Sequence, residues 1–320
     1  MMPAARDVAN RIIDVHHHIL PPAYLAAIGD RLGPQGLLGP PPRWTPALSV
    51  EAMDRNGIAA AVTSISSPGV WFGEAEETGK LARLCNDFAA NLKRDYPGRF
   101  GMFAVLPLPD IDASLREIEY ALDVLKTDGF GLLTNYDGKY PGDAAFAPVF
   151  DELNRRKAVV YFHPTIAGYG RYFPEIPAPS LEFPFDTTRA ITSLLYSGTL
   201  LRCRDIRFIF SHAGGTVPFL AERIARLIIR PEFRATAPDG VLAELARLHY
   251  DMALAANPLT FGPLRQLVGA HKILFGSDYP HAGEPTMTAT VQGLGNLDLS
   301  EGELRAIHYE NAQTLFPRLR

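Results

Sequence analysis

The chain has 320 residues, of which 47% are hydrophobic and 21% are charged, as is typical of a globular protein with a large apolar core. Its formal net charge of −4, without any basic run, argues against nucleic acid as a partner. No apolar stretch of about 18 residues occurs, so no membrane-spanning helix is expected. The N-terminal residues lack the apolar core of a secretion signal, and Cys85 and Cys203 form no disulfide framework. A cytoplasmic location is therefore expected.

Apolar runs that are typical of buried β-strands alternate with helical patterns along the whole chain. This alternation predicts an α/β fold, a (β/α)8 TIM barrel in which residues 1–320 form a single domain. An open doubly wound sheet is the alternative, and it is disfavoured because HHHILPP, not a glycine-rich phosphate loop, follows the first run. The eight predicted strands are residues 12–18, 58–66, 100–108, 130–134, 158–163, 206–211, 248–254 and 273–277.

The segments between the strands give further predictions. A short insertion of about residues 21–48, rich in proline and glycine, follows the first strand. Ser49 is the predicted N-cap of a helix over 49–56, and Asp112 is predicted to cap a helix that ends at residue 126. Residues 165–184 form a proline-rich loop that could act as a lid, and a helix is predicted over 186–201.

Three consecutive histidines end the first predicted strand, where the sequence reads RIIDVHHHILPP. Because strand side chains alternate between two faces, we expect His16 and His18 on one face with Asp14, and His17 on the other. Two imidazoles in this arrangement provide half of a metal site, and the deeper Asp14 is expected to support them. A surface histidine run or a tag remnant is the alternative, and the buried character of the preceding residues disfavours it.

Other strands end in residues of the same chemistry. His163 ends the fifth strand, His212 follows the sixth, and Asp278 follows the eighth. In a (β/α)8 barrel the carboxyl ends of the strands carry the active groups, so these side chains are expected to converge with His16 and His18. Imidazoles with one carboxylate and no thiolate suit Zn²⁺ or Mn²⁺. The fourth strand ends without a lysine that could bridge two metals, so a single ion is predicted.

The motifs resemble those of the amidohydrolase superfamily, in its aminocarboxymuconate-semialdehyde decarboxylase-like branch. The resemblance covers essentially the whole chain, and its two stretches DGFGLLTNYDGKYPGD and EFPFDTTRA are most similar to 6-methylsalicylate decarboxylases. The superfamily motifs are DVHHHILPPAY, MDRNGI, FHP, PFDTTRA, SHAGGTVPF, FGSDYP and ENAQTLF.

The resemblance implies roles for individual residues. It implies that the metal ligands are His16, His18, His163 and Asp278, and that His212 handles a proton or polarises water. Substrate-binding residues are less closely matched.

For the substrate carboxylate, the resemblance implies Arg43, which precedes a tryptophan although the spacing is shorter here, and Arg230, which would reach the site across a homodimer interface. Either arginine could instead be a solvated surface charge. Trp71 is a candidate for contact with an aromatic substrate, although packing of the insertion onto the barrel is the alternative for such aromatic residues.

The predicted function is that of a lyase, a metal-dependent non-oxidative decarboxylase of a small hydroxylated aromatic acid. The metal would chelate the carboxylate and the phenolate of the substrate, and Asp278 with His212 would handle the proton. A mononuclear hydrolase acting on a lactone or amide could use the same residues. A non-catalytic metal-binding protein is a further alternative, and the complete ligand set argues against it.

Overall fold

Eight parallel strands form one sheet in which the strands follow each other in chain order from β1 to β8. The computed structural model describes residues 11–29, 41–166, 173 and 175–319. The predicted α/β class and the (β/α)8 TIM barrel are confirmed. The strands are β1 (Ile12–His18), β2 (Ile58–Ser64), β3 (Phe100–Val105), β4 (Gly129–Leu133), β5 (Val159–His163), β6 (Arg207–Phe210), β7 (His249–Asp251) and β8 (Ile273–Leu274).

Helices surround the sheet and connect its strands. They are α1 (Pro22–Ile28), α2 (Pro46–Arg55), α3 (Ala75–Asp95), α4 (Ile111–Asp123), α5 (Ala147–Arg155), α6 (Ala178–Tyr196), α7 (Thr199–Arg202), α8 (Val217–Ala225), α9 (Pro231–Arg234), α10 (Val241–Ala246), α11 (Pro258–Leu267), α12 (Gly283–Gly295), α13 (Glu301–Arg305) and α14 (Asn311–Leu315). Among the described residues, no helix is long and apolar enough to cross a membrane.

The apolar core has two parts. The larger part lies between the sheet and the helices, where Phe130, Phe162 and Phe210 are fully buried. The smaller part fills the barrel interior around Tyr161, and Phe316, which follows α14, packs edge-on against Phe103 there. Apolar residues therefore fill the barrel interior below the rim that the carboxyl ends of the strands form.

Three predicted helix boundaries are wrong. Thr45, not Ser49, caps α2, because its side chain accepts a hydrogen bond from the amide of Leu48 at 3.2 Å. Asp110, not Asp112, caps α4 by accepting from the amide of Ala113. The helix α6 begins eight residues before the predicted position, and it contains Pro184.

The insertion after β1 and the loop after β5 are described only in part. The insertion contains α1, a helix that was not predicted from its proline- and glycine-rich sequence. Residues 30–40 of the insertion lie outside the described residues, and so do 167–172 and 174 of the loop that was interpreted as a lid. The extent of the insertion and the single-domain organisation stay predictions.

The barrel closes between β1 and the segment that follows β8. The amide of Val15 donates to the carbonyl of Phe275 at 3.0 Å, and the amide of His18 donates to the carbonyl of Tyr279 at 2.7 Å. In return, the amide of Asp278 donates to the carbonyl of His16 at 2.8 Å. This closure places residues 16, 18 and 278 beside one another.

The buried carboxylate of Asp14 connects the two segments that close the barrel. It accepts hydrogen bonds from the amides of His16 and Ser277, each at 3.0 Å, and from the Ser277 hydroxyl at 2.5 Å. The Nδ1 atom of His17 lies 3.1 Å from the same carboxylate. Asp14 therefore supports the strand that carries the histidines. Because its carboxylate contacts the ring of His17, Asp14 lies on the His17 side of β1, and the prediction that it shares a face with His16 and His18 is wrong. The physical reason is an irregularity in β1, whose register against β2 shifts between Asp14 and His17.

We predict that Asp14→Asn lowers the free energy of unfolding by about 1–3 kcal/mol, because an amide nitrogen facing buried donors leaves at least one of them unpaired. The matched control is Asp54→Asn, which removes an exposed ion pair with Arg99 and is expected to cost at most about 1 kcal/mol. Urea denaturation followed by circular dichroism measures both. Equal losses for the two variants would contradict the bracing role of Asp14.

Candidate metal centre

Four side chains from four different strand ends converge at the rim of the barrel. His16, His163, His212 and Asp278 each offer one ligand atom, and these atoms all lie within 4.8 Å of one another. The first comes from β1, the second from β5, and the other two lie in the segments that follow β6 and β8. The strand-end positions inferred from the sequence therefore meet in space.

His18 belongs to the same cluster. Its Nε2 lies 3.1 Å from Nε2 of His16 and 3.1 Å from Oδ1 of Asp278. Its ring is 4.7 Å from that of His163, measured between centroids. His17 lies on the other side of the strand, where its Nε2 is 3.1 Å from the hydroxyl of Ser49, in agreement with the predicted alternation.

Polar partners fix the orientation of three imidazoles. The Nδ1 of His16 donates to Oδ2 of Asp251 at 2.8 Å, and the Nδ1 of His163 donates to its neighbour's carbonyl, that of Pro164, at 2.8 Å. The Nδ1 of His18 lies 3.0 Å from the hydroxyl of Ser64. A proton held on Nδ1 leaves the lone pair of Nε2 directed at the cluster, which is the arrangement that metal-binding histidines adopt.

The electrostatics of the cluster are unusual for groups so deeply buried. Burial lowers the pKa of His16, but the carboxylates of Asp251 and Asp278 outweigh this effect and raise the pKa to about 10. Burial lowers the pKa of His18 to about 3 and holds the pKa of His163 well below its ordinary value. Burial alone would raise the pKa of Asp278, yet the neighbouring histidines hold that pKa well below its ordinary range.

This donor set fits a divalent cation. Three imidazole nitrogens and a carboxylate oxygen, without a thiolate, are ligands that Zn²⁺ and Mn²⁺ accept. Nε2 of His16 and Nε2 of His18 lie 3.1 Å apart, and each lies 3.1 Å from Oδ1 of Asp278, so one cation could contact all three atoms. His212 provides a further nitrogen on the same side, since its Nε2 lies 3.5 Å from Oδ2 of Asp278.

Backbone conformation also marks the site. His212 and Asp278 have φ values of 52° and 61°, in the left-handed region that residues other than glycine seldom adopt and that costs about 1–3 kcal/mol. The amide of His212 donates to Oδ1 of Asp251 at 2.9 Å, which holds this conformation. Gly276 permits the close approach of β8, because a Cβ atom there would lie 2.8 Å from Cβ of His16 and 2.9 Å from Cγ of Asp251.

Three residues predicted to bind substrate lie outside this cluster. Arg43 is exposed and follows Pro42, which lines a cavity beside the cluster. Trp71 is half-buried on the same rim, where its indole donates to Asp137 at 2.8 Å. Arg230 is 61% exposed and forms an ion pair with Glu232 at 2.7 Å. No described contact within the chain connects any of the three with the metal ligands.

The cluster opens into a cleft formed by two adjoining cavities. The larger has a volume of about 450 Å³ and the smaller about 200 Å³, and both are lined by Pro179, Phe183, Leu254 and Asp278. His163 lines the smaller cavity, and His212 lines the larger one. A space of this size and mixed polarity is typical of small-molecule sites.

His281 is a polar group of the same cleft for which the sequence predicted no definite role. Its Nε2 is buried and has no hydrogen-bond partner in the described part of the chain. Burial lowers its pKa, so the ring is neutral near pH 7. The ring lies 5.3 Å from that of His18 and lines the smaller cavity. A buried nitrogen without a partner, beside an open space, is available to a ligand.

Asp186 explains how the two stretches that most resemble 6-methylsalicylate decarboxylases are related in space. Its buried carboxylate accepts hydrogen bonds from the hydroxyl of Thr134, from the side-chain amide of Asn135 at 2.8 Å and from the hydroxyl of Tyr140 at 2.6 Å. Thr134 also accepts a hydrogen bond from the amide of Thr165 at 3.0 Å. This network connects the ends of β4 and β5 with α6, and no local sequence pattern predicts it.

The family model named Amidohydrolase matches residues 13–318, and the chain belongs to the amidohydrolase family. It is 38% identical to decarboxylase yanB of Aspergillus niger over 324 residues, which cover 96% of this chain and 87% of that protein. It is 35% identical to the 6-methylsalicylic acid decarboxylase of Penicillium expansum over 316 residues, 96% of this chain and 97% of the other. The chain is thus a carbon–carbon lyase of the decarboxylase branch. The predicted family branch and the predicted enzyme class are confirmed.

A similar solved structure is that of a 5-carboxyvanillate decarboxylase from Novosphingobium aromaticivorans, in complex with manganese and 4-hydroxy-3-methoxy-5-nitrobenzoic acid. The TM-score is 0.81, with coverage of 97% of each chain. At 17% sequence identity, this likeness concerns the fold alone.

We predict that binding of a divalent metal near pH 7 releases about one proton per chain, because metal-binding nitrogens must be deprotonated. The raised pKa of His16, about 10, means that His16 is protonated below that pH in the metal-free protein, whereas His18 and His163 are already neutral. Calorimetry in buffers of different ionisation enthalpy measures the release. Asp251→Asn should reduce it, and wild-type binding without proton release would contradict the charge state assigned to His16.

Proposed function

We propose that this protein is a metal-dependent, non-oxidative decarboxylase of a hydroxylated, salicylate-type aromatic acid. A single Zn²⁺ or Mn²⁺ would be held by His16, His18, His163 and Asp278. The observation that carries the proposal is the convergence of His16, His163, His212 and Asp278, whose ligand atoms lie within 4.8 Å of one another at the base of the cleft. Nε2 of His18 lies 3.1 Å from Nε2 of His16 and from Oδ1 of Asp278. The decarboxylase relatives named above support the choice of an aromatic acid.

A divalent metal in this position would act as a Lewis acid toward the carboxylate and the ortho oxygen of a salicylate-type substrate. The protein itself supplies the binding geometry and the proton. Thr134 and Asn135 follow β4, and their side chains contact Asp186, so this strand end offers no lysine to a second metal ion. This supports the proposal of a mononuclear centre.

Asp278 is the proposed proton carrier. Its lowered pKa makes it a carboxylate in the resting protein, so it takes a proton from the phenol or acid group of the bound substrate. It then delivers this proton to the ring carbon that bears the carboxylate. The carbon–carbon bond breaks, its electron pair returns to the ring, and CO₂ leaves. Protonation of the product phenolate by solvent balances the reaction.

His212 is the proposed relay for the same proton. Its Nε2 lies 3.5 Å from Oδ2 of Asp278, on the side of the carboxylate opposite the oxygen that contacts His16 and His18. Its buried Nδ1 has no partner among the described residues. With one nitrogen beside the carboxylate and the other free, the ring can exchange a proton between Asp278 and the cleft.

The walls of the cleft suit a flat apolar ring. Phe183 presents its ring edge-on to His163 at 5.8 Å, and Leu254, although 56% exposed, lines both cavities. Opposite these groups, the free Nε2 of neutral His281 offers a hydrogen bond to a hydroxyl group on the substrate. An aromatic acid with a phenolic hydroxyl matches this combination.

The alternative of a mononuclear hydrolase uses the same residues, and the decarboxylase relatives do not favour it. We predict that the metal-loaded protein releases CO₂ from at least one acid in a panel of 2-hydroxybenzoates, 6-methylsalicylate included. Asp278→Asn should lower the rate at least about 100-fold, because it removes the proton carrier. Headspace CO₂ analysis, with metal content measured in parallel, tests this prediction.

The matched control is Asp298→Asn at an exposed carboxylate, which should retain the wild-type rate. Ring opening of lactones without CO₂ release from any acid of the panel would favour the hydrolase. Unchanged CO₂ release by a metal-loaded Asp278→Asn protein would exclude Asp278 as the proton carrier.

A homodimer is part of the proposal, because no described contact connects Arg230 with the metal ligands of its own chain. It lies after α8 on a surface where large apolar side chains are exposed: Phe219 (82%), Ile229 (78%) and Leu259 (89%). Such an apolar surface is typical of a protein interface. In this arrangement Arg230 binds the substrate carboxylate of the partner, whereas Arg43 acts within its own chain. The cytoplasmic location and the lack of a nucleic-acid partner stay predictions.

We predict that Arg230→Gln raises KM about 10- to 100-fold, the effect of losing a charge-assisted hydrogen bond. Mixing this variant with Asp278→Asn under conditions that let subunits exchange should restore activity. Each hybrid dimer then contains one site in which both Asp278 and the arginine from the partner are intact. At equal proportions about a quarter of all sites become functional. The same mixture made with Arg43→Gln should stay inactive, and failure of the Arg230→Gln mixture would place that arginine outside the partner's site.

A further inference from the structure

A second cavity lies at the opposite end of the barrel from the metal ligands. Its volume is about 370 Å³, and its lining includes the first residues of β6 and β7 and Lys272, directly before β8. The metal ligands occupy the other ends of the strands, so substrate in the cleft cannot reach this cavity. The residues used below are Arg204, Arg207, Arg247, Lys272, His249 and Glu244.

The side chains that line this cavity carry a net positive charge, although the chain as a whole is negatively charged. Four cationic side chains line it, together with a single carboxylate, Glu244, in a protein whose formal net charge is −4. Glu244 is already engaged, because both terminal nitrogens of Arg204 donate to its two oxygens. Three cations therefore remain without a carboxylate, and we name them the basic triad: Arg207, Arg247 and Lys272.

The basic triad is poorly neutralised by the protein. Arg207 donates to the carbonyl of Lys157 at 2.6 Å, which carries no full charge. Within the described part of the chain, Arg247 and Lys272 have neither a hydrogen bond nor an ion pair from their charged groups. Burial, and then repulsion from Arg247, lowers the pKa of Lys272. Cations gathered without counter-charges are stabilised when an anion joins them.

The excess of positive charge also affects the pKa of His249, whose ring lines the cavity. Its Nδ1 donates to the carbonyl of Phe208 at 3.3 Å, so the ring is held in place. Burial, followed by the nearby positive charge of Lys272, lowers its pKa to about 4. An anion bound between these cations would offset part of that repulsion, so the titration of this ring serves as a probe of occupancy.

The composition of the lining favours one class of anion. Arginine forks pair with carboxylate or phosphate through two hydrogen bonds, and three unneutralised cations exceed the single charge of a carboxylate. A phosphate group, with a charge of about −1.5 to −2, fits this excess better. Leu200, Ile206 and Leu248 add an apolar wall for the remainder of the ligand.

We propose that this cavity is a binding site for a small phosphorylated molecule, held by the basic triad and separate from the metal centre. The site has the volume of a small-molecule pocket and lies on the barrel face that carries no part of the proposed chemistry. Its occupancy does not depend on the proposed decarboxylation.

The test uses the metal-loaded protein and two probes, inorganic phosphate and phenyl phosphate, with benzoate as the monoanionic comparison at constant ionic strength. We expect saturable binding of phenyl phosphate in isothermal calorimetry, tighter than that of benzoate, and an upward shift of the His249 pKa in NMR titrations of the ring. The double variant Arg247→Met/Lys272→Met should bind phenyl phosphate at least tenfold more weakly, with unchanged metal content. Lys272→Arg should retain binding.

Arg202→Met is the control, since Arg202 lies near the same end of the barrel but pairs with Asp151 at 2.9 Å and does not line the cavity. Equal weakening in this control, or binding that disappears in 0.15 M sodium chloride, would show a solvated basic surface and overturn the proposal. Binding of phenyl phosphate that is unaffected by the double variant would place the ligand at the metal centre and overturn it as well. Loss of CO₂ release in Asp278→Asn has no bearing on these outcomes.

Discussion

The crowding of imidazole nitrogens around one carboxylate is the interaction on which the rest of the site depends. Nε2 of His16, Nε2 of His18 and Oδ1 of Asp278 are separated from one another by 3.1 Å, and both imidazoles are fully buried. In the metal-free protein the raised pKa of His16 keeps a proton among these atoms, and burial leaves few other partners for them. We propose that a divalent cation takes the place of this proton.

His16, His18 and Asp278 are each supported by an element other than their own. Asp251 at the end of β7 holds both the ring of His16 and the backbone of His212, and Ser64 on β2 lies against His18. The closure of the barrel between β1 and the segment after β8 brings Asp278 to its place. Because the hydrogen bonds that close the barrel also position the ligands, formation of the barrel and of the site are coupled.

The sequence predicted the barrel and the converging residues for a simple physical reason. Strand periodicity is a local property. The carboxyl ends of parallel strands lie at one rim of the barrel regardless of the conformation of the loops. Helix caps were predicted less well. Ser49 follows the pattern of an N-cap, but its hydroxyl accepts a hydrogen bond from Trp44 and contacts His17, so Thr45 takes the capping position.

The hydrogen bonds through which distant segments support the site could not be predicted. The carboxylate of Asp186 collects hydrogen bonds from residues about fifty positions earlier, and the orientation of His16 depends on Asp251, which lies 235 residues away. The basic triad likewise forms only when β6, β7 and β8 align. These features depend on tertiary packing, which cannot be inferred from local patterns in the sequence.

The central claim is that one divalent ion is bound by His16, His18, His163 and Asp278. The most direct test is a crystal structure of the metal-loaded protein with anomalous difference maps recorded on both sides of the zinc or manganese absorption edge. The account predicts one anomalous peak per chain, at coordination distance of about 2.0–2.2 Å from these four side chains. A second peak of equal height beside the first, or a single peak away from these ligands, would contradict it.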